Sequence, residues 1–107
     1  MARWAAPLIL LFAAGHSVAD PPDPARQAEL LHLLRHDCGS CHGLTMRGGL
    51  GPSLEPASLA EKADEALAAV ILDGIPGTPM PPWRPELTAD EAAWLVDQLK
   101  RGLDAPP

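Results

Sequence analysis

The stretch "CGSCH", Cys38 to His42, contains both cysteines of this 107-residue chain and decides how the rest of the sequence is interpreted. Two cysteines separated by two residues occur in several kinds of site. A thioredoxin-like redox pair needs a strand followed by a helix, and the sequence around this stretch predicts no strand. Half of a zinc site needs a second pair of ligands, and no further CxxC or HxxxH pattern follows.

Covalent attachment of a c-type haem fits all five residues in order. On one helical turn, the sulfurs of Cys38 and Cys41 would lie on the same side, within reach of the two haem vinyl groups. His42 would then point its imidazole toward the iron. Gly39 and Ser40 are too small to obstruct the porphyrin edge. The sequence therefore predicts one covalently bound haem c, with His42 as an axial ligand of the iron.

The stretch "GIPGTPMPPW", residues 74–83, predicts the second axial ligand. It surrounds Met80 with four prolines and two glycines, a density that neither helix nor strand tolerates. A thioether sulfur is a soft ligand that raises the reduction potential, and prolines reduce the entropy of a detached loop. Met46 is the competing methionine, but it follows His42 by only four residues and should stay on that side of the ring. We therefore expect Met80 to bind the iron.

Three further positions are candidates for the surroundings of the haem. The carbonyl of Pro52, in "GPSL", could accept the other ring proton of His42 and fix its tautomer. Arg47 could contact a haem propionate, although an exposed loop arginine is the alternative. Trp83 is expected to pack against the haem edge.

Helical periodicity predicts three helices and no strand. The expected bounds are Pro24 or Ala25 to Cys41, Ser58 or Asp64 to Asp73, and residues 88–102. Capping boxes are predicted at Ser58 with Glu61 and at Thr88 with Glu91. The apolar faces are Leu30, Leu31, Leu33 and Leu34 on the first helix, Ala63, Leu67, Val70 and Ile71 on the second, and Ala92, Leu95, Val96 and Leu99 on the third. We could not assign Trp94 to a face.

Residues 1–19 are typical of a signal peptide. A basic residue precedes the apolar run 4–15, and small residues stand at the −3 and −1 positions of a cleavage site after Ala19. The run is shorter than the ~20 residues needed to span a bilayer. We therefore expect export to the periplasm and a mature monohaem domain over residues 20–107, without a membrane anchor after processing.

Charge and composition narrow the function further. The net charge of −6 argues against a nucleic-acid partner, since phosphates need Lys and Arg clusters. It favours a soluble protein, expected to be a monomer, that meets a partner with a positive patch. The chain has three Trp, one Phe and no Tyr, so the core of this small domain should be completed by the haem.

The stretches "CGSCHG", "RGGLGPSL" and "GIPGTPMPPW" together make the chain resemble a class I c-type cytochrome from Ala25 to Gly102. The resemblance implies a small all-α class I cytochrome c fold, with three main helices and long loops wrapped around one haem. It also implies that the first helix packs on the last, and that the haem edge is exposed near Cys38, Cys41 and the Met80 loop. Many relatives carry an aromatic residue where this chain has Gln98.

More narrowly, "CGSCHGLTMRGGLGPSL" followed by "LDGIPGTPMPPW" is similar to the cytochrome c-55X group. This similarity implies a periplasmic one-electron carrier, not an enzyme, that donates electrons to cytochrome cd1 nitrite reductase in denitrification. The alternative is an accessory protein in the maturation of haem d1 or its insertion into that reductase. A ligand sensor or small haem enzyme would need an open sixth position on the iron, and the stiff Met80 loop argues against it.

Overall fold

The computed structural model describes residues 3–8 and 20–103, and over these ranges the chain is helical without a strand. The all-α prediction is confirmed. The helices are α1 (Pro24–Leu33), a π-helical segment (Leu34–Cys38), α2 (Gly39–His42), α3 (Pro56–Leu59), α4 (Asp64–Asp73) and α5 (Ala89–Arg101). Within the described part, no helix is long and apolar enough to cross a bilayer. Most of the predicted signal peptide, including its cleavage site, lies outside the described residues.

The first predicted helix is present as one continuous helical run, residues 24–42. The Asp23 carboxylate accepts a hydrogen bond from the backbone N of Arg26 (3.0 Å), and Pro24 occupies the first turn, where its missing N–H costs nothing. The run ends at Gly43, whose φ of 93° suits glycine. The π-helical turn directly before the CxxC stretch was not predicted, because hydrophobic periodicity does not show a single widened turn.

The second predicted helix is confirmed with its alternative start, as α4 (Asp64–Asp73), while the short helix α3 precedes it and the predicted capping box at Ser58 is wrong. Ser58 lies inside α3, where its backbone N bonds the carbonyl of Glu55 (2.9 Å), and Glu55 is the N-cap residue. Helix α4 begins after Ala63, which has no polar side chain to cap it. It ends at Gly74, as predicted, with φ 67°.

The third predicted helix is confirmed as α5, with both of its end signals. The backbone N of Glu91 donates to Thr88 Oγ1 (3.1 Å), and the backbone N of Thr88 donates to Glu91 Oε1 (2.9 Å), which is the predicted capping box. Gly102 ends the helix with φ 91°. All four residues of the predicted apolar face are buried: Ala92, Leu95, Val96 and Leu99.

The core forms where α1, α3 and α4 pack on α5. Leu30, Leu34, Leu95 and Val96 are at most 1% exposed, and each such burial stabilises the fold by about 1.5–3 kcal/mol. Trp94, which the sequence left unassigned, is half-buried against this core. The first helix therefore packs on the last, as the family resemblance implies.

An ion pair joins the N-terminal ends of α1 and α5. The Arg26 guanidinium bonds the Glu91 carboxylate and also the backbone carbonyl of Glu86 (3.2 Å). The hydrogen bond from Arg26, with that from the Thr88 backbone, holds the pKa of Glu91 below its ordinary value. These contacts fix the position of α1 along the axis of α5.

Candidate haem site

A large cavity of about 760 Å³ lies between the CxxCH stretch, α4 and the Met80 loop. This volume is within the roughly 300–1,000 Å³ that is usual for cofactor and ligand sites. Most of its walls are apolar. The predicted apolar face of α4 lines it: Leu67, Val70 and Ile71 are all half-buried here, and Leu67 and Ile71 also pack against the core, in which Leu72 is buried. The helix therefore presents an apolar face that an apolar cofactor would cover.

Cys38, Cys41 and His42 all line this large cavity. Both cysteines are half-buried free thiols. Burial, assisted by the negative charge of Asp37, raises the pKa of the Cys38 thiol to about 11. A CxxC redox pair works through a thiol whose pKa is lowered, so this environment disfavours a redox disulfide.

The backbone around His42 determines which ring nitrogen carries the proton. His42 Nδ1 lies 2.7 Å from the carbonyl oxygen of Pro52, as the sequence suggested. Because a carbonyl can only accept, Nδ1 carries the proton and Nε2 keeps a lone pair for a metal ion. A Cβ at Gly51 would come within 2.8 Å of two ring atoms of His42, so the loop needs glycine to pack this closely. The bond from Gly51 N to Cys41 O (2.8 Å) holds that loop in place.

Met80, half-buried at the cavity wall, ends a closed turn. Thr78 Oγ1 donates to the carbonyl of Ile75 (2.7 Å) and accepts from the backbone N of Met80 (3.3 Å). The backbone N of Ile75 in turn donates to Met80 O (3.2 Å). Gly74 permits this closure, because a Cβ there would lie 2.6 Å from Met80 O. Sequence reasoning did not identify Thr78, although a threonine two residues before a backbone N–H is a known local capping signal.

The far end of the Met80 loop is attached to α4. The backbone N of Trp83 donates to Ile71 O and that of Arg84 donates to Leu72 O, both at 3.0 Å. The Arg84 guanidinium bonds the Asp73 carboxylate with two contacts of 2.8 and 3.0 Å, and this holds the pKa of Asp73 below its ordinary value. Trp83 is half-buried and lines the cavity. The loop is therefore held at both ends.

Arg47 lies apart from the other predicted site residues. Its side chain is exposed and lines a separate, smaller cleft, so the predicted contact with a haem propionate gains no support. Among the described residues, the basic side chain that lines the large cavity is Lys62, which sequence reasoning missed. Met46 is buried in the core and does not line the cavity, in keeping with the expectation that it cannot compete with Met80.

The comparisons with known proteins agree with this site. Residues 25–98 match the family model described as "Cytochrome C oxidase, cbb3-type, subunit III". Cytochrome c55X of Paracoccus denitrificans is 61% identical to this chain, over 92% of this chain and 94% of its own length. The chain belongs to the class I c-type cytochromes. Within them it joins the cytochrome c55X group, so its cofactor is covalently bound haem c and its general role is electron transfer.

Two solved structures extend the comparison. A structure titled "c-type cytochrome NirC" superposes with a TM-score of 0.76 at 59% identity, covering 79% of this chain and all of that one. "Dihydro-heme d1 dehydrogenase NirN in complex with DHE" matches with a TM-score of 0.63 at 35% identity, covering 72% of this chain but 16% of that one. The c55X and NirC relatives link this cytochrome to denitrification.

Proposed function

We propose that this cytochrome is a periplasmic one-electron carrier that donates electrons to cytochrome cd1 nitrite reductase. The observation that supports this most is the shared cavity, because the CxxCH residues and the Met80 loop line the same space and each is held by its own hydrogen bonds. Bound haem supplies a one-electron ferric/ferrous couple. A preorganised ligand loop suits a carrier, since the site need not rearrange or admit a substrate.

Each site residue has a proposed role. Cys38 and Cys41 hold the haem through thioether bonds, and His42 and Met80 bind its iron. The carbonyl of Pro52 keeps His42 in the tautomer whose Nε2 can bind, and it increases the basicity of that nitrogen. Trp83 and the α4 face cover the macrocycle, and Lys62 compensates the charge of a haem carboxylate.

Axial binding by Met80 is tested by removing the sulfur. Met80→Ala should lower the reduction potential and let carbon monoxide bind the ferrous protein rapidly, because the sixth position loses its soft ligand. Carbon monoxide binding to the wild-type protein at the same rate would contradict Met80 ligation.

A separate variant lacking the thiols of Cys38 and Cys41 should yield little folded protein, since the large apolar cavity would stay uncovered. A stable, cooperatively folding apoprotein would contradict that role of the haem.

Electron donation is tested by mixing the reduced mature protein with oxidised cytochrome cd1 nitrite reductase in a stopped-flow instrument. The haem c absorbance should report fast oxidation that slows as salt is added, because exposed charges are screened. Oxidation by a small inorganic oxidant, measured in parallel, controls for the competence of the haem. Competent haem that is not oxidised by the reductase would refute the donor role.

An accessory role in haem d1 maturation is the second candidate, and the similarity to part of NirN is what favours it. In the same mixing experiment, this role predicts binding to the reductase or to free haem d1 without electron transfer. Pull-down and spectral titration with haem d1 would measure that binding. Fast electron transfer without haem d1 binding would instead favour the carrier.

A further inference from the structure

The smaller cleft that Arg47 lines is rich in arginine side chains. It measures about 320 Å³ and brings together three arginines from separate parts of the chain. Arg35 comes from the π-helical segment, Arg47 from the loop after His42, and Arg101 from the end of α5. We call it the arginine cleft. A group of guanidinium ions is unexpected on a protein whose net charge is −6.

Among the described residues, ion pairs balance only one of the three charges of the arginine cleft. Elsewhere, three basic residues pair with carboxylates: Arg26, Arg84 and Lys100. Arg101 pairs with Asp97 (2.9 Å). Within residues 20–103, however, neither Arg35 nor Arg47 takes part in an ion pair, and Arg35 bonds the carbonyl of Leu103 (3.3 Å). Among the residues that the structure describes, two guanidinium groups thus have no carboxylate partner.

The rest of the lining limits what that anion can be. Buried Met46 and Leu99, with half-buried Leu54, give the cleft an apolar floor that inorganic anions would not use. Glu55 also lines the cleft and disfavours a ligand with several negative charges. The volume is near the lower limit of about 300 Å³ for small-molecule sites. A singly charged carboxylate on a short hydrocarbon chain fits these conditions.

We propose that the arginine cleft binds a small organic carboxylate. The guanidinium of Arg47, with that of Arg35, holds the carboxylate through charge-assisted hydrogen bonds, and the hydrocarbon part lies on the apolar floor. Leu54 and Leu99 line both this cleft and the large cavity, so they separate the carboxylate site from the haem site. The proposal does not depend on the redox partner of the cytochrome.

The loop that forms one wall of the cleft should report ligand binding directly through its amide resonances. Leu54 N bonds Met46 O (2.8 Å) and Ser53 Oγ bonds the same carbonyl (3.3 Å), so the loop responds as a unit. We would titrate the reduced, ¹⁵N-labelled holoprotein with butyrate at constant ionic strength and follow its amide resonances. Saturable shifts are expected in residues 44–55 and 101–103.

Probes and variants separate the parts of the proposal. Butanol has the same hydrocarbon chain without the charge, and inorganic phosphate has charge without the chain. Each should bind at least about tenfold more weakly than butyrate, a difference of about 1.4 kcal/mol. Arg47→Gln should weaken butyrate by a similar factor, while Arg84→Gln, which removes the same charge outside the cleft, should leave butyrate affinity unchanged.

Three outcomes would overturn the proposal. One is the absence of saturable shifts with butyrate, which would also be seen if haem propionates already occupied the arginines. Another is equal binding of butanol or tighter binding of phosphate, which would mean an apolar pocket or a general anion site. The third is butyrate affinity that Arg47→Gln does not change.

Discussion

Thr78 should set how often the Met80 loop detaches from the iron. Its hydroxyl donates to Ile75 O at 2.7 Å and accepts from Met80 N at 3.3 Å, so Thr78→Val removes two hydrogen bonds without changing the shape of the side chain. A net contribution of roughly 0.5–1.5 kcal/mol for each bond gives about 1–3 kcal/mol in total. The fraction of protein with a detached loop should therefore rise by about 5–150-fold, since about 1.4 kcal/mol corresponds to a factor of ten.

Carbon monoxide binding to the ferrous protein measures this fraction, because the ligand enters only when the sulfur has left. The observed rate should rise in proportion to the detached fraction, with Met80→Ala giving the upper limit. Thr45→Val is the matched control: this threonine is exposed and lies in the arginine cleft, away from the Met80 loop. If Thr78→Val binds carbon monoxide no faster than Thr45→Val does, the turn does not hold the sulfur.

Three further predictions follow from the contacts. Gly51→Ala places a Cβ 2.8 Å from the His42 ring and should destabilise the holoprotein by about 1–3 kcal/mol in thermal denaturation; unchanged stability would mean that the loop yields freely. Arg26 lowers the pKa of Glu91. The stabilisation of the fold that this contact provides is therefore present above the ordinary pKa of 4.5 and is lost as the pH falls through the lowered pKa. In denaturant titrations at several pH values, the free energy of unfolding of Glu91→Gln should therefore fall less steeply toward acid pH than that of the wild-type protein. Lys62→Met should lower the reduction potential in voltammetry, since a cation near the haem favours the reduced iron; an unchanged potential would place Lys62 away from the haem charge.

Features that depend on neighbours in sequence were predictable. The capping box at Thr88 and Glu91, the terminal Gly102 and the buried face of α5 are all confirmed, because each depends on contacts within one or two helical turns. The spacing of "CGSCH" indicated the cofactor for the same reason. A helical turn alone brings those side chains together.

Features that depend on competition between segments were not predictable. Ser58 and Glu61 have the pattern of a capping box, but a helix starts earlier, at Pro56, and includes the serine. Lys62 follows that short helix and lines the large cavity, while Arg47 is directed to another cleft. Which basic side chain lines the large cavity depends on the path of the whole chain, and the sequence pattern alone does not give that path.

By itself, the sequence determined that this chain is an all-α c-type cytochrome and which five residues form its attachment motif, because those properties are encoded in local spacing. Only the tertiary structure decided that the apolar face of α4 lines the large cavity, that Thr78 closes the Met80 turn, and that Arg35, Arg47 and Arg101 share one cleft. The physical reason is that burial and hydrogen bonding act between segments far apart in sequence. Which of them meet is settled by the packing of the whole domain.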